Sequence, residues 1–134
     1  METNISNECK AYTSLEQSKK LAEILPLESA DMSYSFNFDS GTHESSTVPY
    51  KDWIVPKYAQ PDNGFGQVIP CWSLAAMLNV LYFPSLSKDK LGSGKTGWMV
   101  SVYPDNYRYD SCWHDNPIDA CYEMILKLHE QKFI

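Results

Sequence analysis

The side chains best suited to chemistry are the cysteines and histidines, and each has a competing role in packing. Cys71 follows Pro70 at the head of a long apolar run. A thiol at a helix N-terminus has its thiolate favoured by the helix dipole and can serve as a nucleophile. Gln67 stands four residues upstream, and His114 with Asp115 or Asn116 offers a base and an orienting group later in the chain. The alternative is that Cys71 packs as a small hydrophobe. Cys112, His114 and Asp115 are soft and borderline metal ligands, a set that His43, Cys121 and His129 could extend. A structural zinc site announces itself by two close ligand pairs, and the spacing supplies no second pair, so no metal or other cofactor is expected. Gly94-Lys95-Thr96 resembles the end of a phosphate-binding loop. Asp89 stands where that loop needs glycine, and the flanking strand and helix are missing, so nucleotide binding is not expected.

Around Cys71 the pattern Gln67…Cys71-Trp72, opening a buried helix followed by a hairpin, is similar to papain-like cysteine hydrolases. That resemblance implies Cys71 as nucleophile, Gln67 as oxyanion donor, His114 as base and Asp115 or Asn116 as orienter. The departure is the first hairpin strand, Gly97-Trp98-Met99-Val100-Ser101-Val102, which lacks the histidine such a family holds there. Packing is therefore the favoured role for Cys71, and the chain reads as a non-enzyme more readily than as an enzyme.

A chain of 134 residues is of single-domain length and buries enough surface to fold without staples. One globular domain over 1–134 is expected, with residues 1–12 flexible. Hydrophobic residues at 43% and charged residues at 21% place it among ordinary globular domains. The formal charge of −6 argues against broad phosphate binding, so no nucleic-acid partner is expected. Met1 to Lys10 lacks the features of a secretory signal, and no apolar run is long enough for a membrane span, which predicts a cytoplasmic protein with reduced thiols and no membrane partner.

Thr13 followed by Glu16 has the spacing of a capping box, and Leu15, Leu21, Ala22 and Leu25 continue a first amphipathic helix to Pro26. Met32, Tyr34, Phe36 and Phe38 alternate with polar residues as a half-buried strand does. From Ser40 to Ile69, prolines and glycines predict a long ordered loop. Cys71 to Phe83 predicts a core helix, Ser85 to Thr96 a polar loop, and Trp98–Tyr103 with Asn106–Tyr109 a hairpin. Asn116 as N-cap and Pro117 at the first position begin a last helix, with Ile118, Cys121, Met124, Ile125 and Leu128 facing inward. The expected fold is α+β: a small antiparallel sheet of about three strands packed against a buried central helix and an amphipathic C-terminal helix.

The segments Leu15–Leu21, Ala30-Asp31-Met32, Pro70–Leu74 and Asp119-Ala120-Cys121 through Leu128-His129 resemble a set of small, uncharacterised, acidic proteins from gut bacteria and their phages or mobile elements. The resemblance implies a bacterial protein with an accessory role for a mobile element and brings no activity with it. The expected function is therefore a non-catalytic intracellular protein that binds another protein, or itself, through aromatic residues of the middle loop, Tyr50, Trp53, Tyr58 and Phe65.

Overall fold

The computed structural model of the protein describes residues 11–37, 39–52 and 68–134. Its backbone forms two compact units, one of Thr13–Ala76 and one of Met77–Ile134 with Ala11 and Tyr12. The class is α+β, as the sequence predicts. Among the described residues the single expected sheet is replaced by two three-stranded antiparallel sheets, one in each unit, accompanied by three α-helices.

In the first unit, α1 (Leu15–Leu21) starts one residue later than the sequence pattern suggests. Ser14, not Thr13, is the N-cap, and its capping box closes on Gln17 rather than Glu16. Thr13 is diverted because its hydroxyl already serves Ser18 at 2.7 Å and the Trp72 amide at 3.1 Å. Strand β1 (Met32–Asn37) lies between β2 (Thr42–Ser46) and β3 (Val68–Cys71), pairing Tyr34 with Ser45 on one side and Ile69 on the other. The alternation of β1 is only partly realised: Tyr34 is buried, and so is Ser33, whose hydroxyl donates to the Val48 carbonyl at 2.7 Å.

Cys71 therefore ends a strand, where the sequence pattern places the start of a helix. A four-residue apolar run fits either conformation by periodicity. Pro70 fits an edge strand, because its missing N–H costs nothing on the side where no described strand pairs with β3. The expected central helix shrinks to α2 (Leu74–Val80), which carries the chain from one unit into the other. Ser73 accepts the Ala76 amide at 3.2 Å and donates its own amide to Asp31 at 2.9 Å, which fixes where that helix begins. Ala75 and Asn79 are exposed, so α2 is not buried on all sides.

In the second unit, β4 (Ser85–Lys90) occupies the segment expected to be a polar loop. It is an edge strand paired with β5 (Thr96–Val102), and its only large apolar residue is Leu86. Charged edge strands resist pairing with other chains, which is why the segment lacks the alternation of a strand covered on one face. Lys88 also lies 5.1 Å over the Trp98 ring. Gly94, at φ +90, supplies the left-handed residue of the β4–β5 turn. A β5–β6 hairpin forms, but β6 is Tyr109–Asp110 and of the expected strand Asn106–Tyr109 keeps only Tyr109.

The last helix, α3 (Pro117–Glu130), matches the sequence pattern closely: Asn116 caps it by accepting the Asp119 amide at 2.9 Å. Ile118, Cys121, Met124, Ile125 and Leu128 are at most 1% exposed as the helix packs on β5. Burying each of the larger of these side chains stabilises the unit by roughly 1.5–3 kcal/mol. None of the described helices is long and apolar enough to cross a membrane.

Candidate functional site

The chain after β6 continues alongside β5 with a change of register. Ser101 pairs with Asp110, while Trp98 pairs with His114. Two residues separate the paired positions on β5 and three separate them on its neighbour, so Cys112 and Trp113 together oppose Met99 in a β-bulge. Bulges re-aim side chains and leave one backbone group without its ladder partner. Here Cys112 is exposed with a free thiol, and Trp113 is 40% exposed.

Glu123 of α3 receives what the bulge leaves unpaired. Its Oε1 accepts the Cys112 amide at 3.0 Å and meets His114 Nε2 at 2.6 Å, while Oε2 pairs with Lys127 at 3.1 Å. Burial raises the Glu123 carboxyl, but the bonds from His114, the Cys112 amide and Lys127 outweigh it and hold the group below the ordinary carboxylate range. His114 is thus oriented by a carboxylate within its own unit. Asp115 is exposed beside it, and Asn116 is occupied in capping α3. Among the described residues no three of His, Cys, Asp and Glu are grouped to hold a metal ion.

Cys71 belongs to the other unit and has no exposed surface. Its sulfur lies 3.6 Å from the Thr13 hydroxyl and within the same distance of the Thr13 carbonyl, to which Tyr34 also donates at 2.7 Å. Burial pushes the Cys71 thiol up; bonds from Thr13, Ser18 and Tyr34 pull it back, Asp31 adds to the rise, and the balance is upward. A nucleophile at neutral pH needs the opposite shift and an open path to substrate. Trp72 beside it is fully buried and donates its indole N–H to Ser29 at 2.9 Å. Gln67, the expected oxyanion donor, lies outside the described residues.

The chain matches no protein-family model, no curated protein and no solved structure.

The most unusual described surface lies in the second unit. Phe83, between α2 and β4, is 81% exposed and stands at φ +48. A bulky residue in left-handed backbone costs about 1–2 kcal/mol, and exposure returns none of it through burial. The same region gathers other aromatics. The Tyr103 amide donates to the Tyr82 carbonyl at 2.9 Å, the Tyr82 hydroxyl donates to the Phe133 carbonyl at 2.6 Å, and the Phe133 ring meets Tyr109 edge-on at 5.8 Å. Tyr107, 72% exposed, stands between β5 and β6, where Asp105 accepts both the Tyr107 amide and the Tyr109 hydroxyl.

Of the aromatic residues expected to bind a partner, Tyr50 opens a short 3-10 turn, Tyr50–Asp52, and is half-buried. Trp53, Tyr58 and Phe65 lie outside the described residues. Sequence reasoning missed the cluster around Phe83 because those residues were absorbed into an expected core helix and hairpin. Pro84 disfavours right-handed helix only at Phe83, whereas α2 already ends at Val80, so the sequence carries no local signal for the exposure.

Proposed function

We propose that this chain is a non-catalytic accessory protein that binds another protein through the aromatic surface of Tyr82, Phe83, Tyr103 and Tyr107. The observation that carries this reading is Phe83, which is both the most exposed large apolar side chain among the described residues and held in costly backbone. Folding gains nothing from a phenylalanine there. A binding partner does, because an exposed ring that becomes desolvated in a pocket is the usual centre of a protein interface. Tyr82 beside it in the chain, and the exposed Tyr103 and Tyr107 that follow β5, have side chains with an apolar body and a polar tip, the composition favoured at such surfaces.

An accessory role inside a bacterial cell is also what the resemblance proposed from the sequence, to small acidic proteins of gut bacteria and their mobile elements, would imply. It adds no chemistry of its own. For the hydrolase alternative, the buried and upward-shifted Cys71 offers no support.

A photo-crosslinking residue placed at Tyr107, compared with one at the exposed Glu44 of β2, tests the proposal in a native host. The expected result is one defined protein adduct from position 107 and none from position 44. Adducts from both positions alike, or from neither, would overturn it.

A further inference from the structure

We infer that Glu123 is an acid-released latch on the Cys112–Trp113 bulge, holding these two residues in place while its carboxylate is ionised and freeing them when it is protonated. The bulge is tied at both ends without Glu123. On one side the Ser111 amide donates to the Val100 carbonyl at 2.9 Å; on the other, Trp98 and His114 exchange two backbone bonds of 2.7 and 2.8 Å. Between these ties the Cys112 amide has lost its ladder position, and its acceptor is Glu123 at 3.0 Å. The same carboxylate fixes the His114 ring and Lys127, and Lys127 reaches back to the Asp110 carbonyl at 3.0 Å. One side chain on α3 therefore secures the bulge amide, the imidazole that follows it and the lysine that grips the strand before it.

An ionised carboxylate accepts at both oxygens, and bonds to it are about twice as strong as neutral ones. Protonation removes the charge that Lys127 answers and turns one oxygen into a donor. Among the described residues the surrounding titratable groups are few. The bulged segment brings His114, Asp115 and the Cys112 thiol, and β6 brings Asp110, occupied by Arg108 and Ser101. Its own helix brings Lys127 and Asp119, the latter bound to Asn116, and β5 has no titratable side chain from Thr96 to Val102. The hydrogen bonds that hold Glu123 below the ordinary carboxylate range keep the latch closed through neutral pH and delay its opening into acid.

Amide hydrogen exchange followed by NMR from pH 7 down to pH 3, corrected for the intrinsic rate, tests the latch. The expected result is that Cys112 loses at least about tenfold of its protection as Glu123 protonates, while Val102 and Ile125 keep theirs. Glu123→Gln retains an amide acceptor without a titrating charge, so its Cys112 protection is expected to stay level with pH; Glu123→Ala is expected to lose it already at pH 7. Unchanged protection of Cys112 across the range would overturn the inference. So would loss in step with Ile125, the same pH dependence in Glu123→Gln, or retained protection in Glu123→Ala.

Discussion

The hydroxyl of Tyr82 donates to the carbonyl of Phe133 across 2.6 Å, fastening the turn that bears Phe83 to the segment after α3. Phe133 in turn packs edge-on against Tyr109, so the aromatic surface rests on three separate stretches of chain. Tyr82→Phe keeps the ring and removes the bond. It is expected to lower stability by about 1 kcal/mol, read as a lower urea midpoint with an unchanged slope.

Phe83 itself contributes little to folding. Phe83→Gly removes an exposed ring and admits the left-handed φ without strain, so stability is expected to stay level or rise by up to about 1 kcal/mol. Urea unfolding checks this directly. A loss above about 2 kcal/mol would mean that the ring packs in the fold.

Much of the second unit was legible in the sequence. Asn116-Pro117 and the stripe Ile118, Cys121, Ile125 and Leu128 specify α3 by chemistry local to the helix, and the structure follows them. Strand β3 was not legible, because Val68–Cys71 is too short for its period to separate strand from helix; its pairing with β1 decides, and that partner is distant in sequence. Strand β4 was hidden by its own edge position, which favours Ser85, Lys88 and Lys90 over an apolar face. Thr13 and Ser14 can each cap α1, and only the demand of Ser18 and the Trp72 amide on Thr13 selects Ser14. The bulge at Cys112 is a property of register, and the left-handed backbone of Phe83 one of tertiary context, so neither is read from residue types alone.

The thiols separate by accessibility. In the native protein Cys112 is expected to react with iodoacetamide at pH 7.5, while Cys71 and Cys121 react only after unfolding. Peptide mass spectrometry of the labelled chain reads the sites. Labelling of Cys71 at a rate matching Cys112 would restore the case for a cysteine nucleophile.

Cys121 predicts an alkaline weakness. Burial pushes its thiol from an ordinary value of 9.0 up to about 12, so the folded state keeps a proton that the unfolded state releases. The stabilisation is fully present below pH ~9 and is lost as pH rises toward ~12, at up to ~1.4 kcal/mol per pH unit. Cys71, also raised, adds to the same fall. Cys121→Ala is expected to cost about 1–2 kcal/mol at pH 7 and to shrink that loss with pH, measured as urea midpoints between pH 7 and 10.5. Parallel profiles for the two proteins would show that Cys121 does not titrate on unfolding.

The most direct test of the central claim is the affinity of the crosslinked partner for the double variant Phe83→Ala, Tyr107→Ala. Truncating the centre of an interface costs about 2 kcal/mol or more, so the account predicts affinity weakened at least roughly 30-fold, with a melting temperature within a few degrees of the parent. Unchanged affinity in a folded double variant would contradict it.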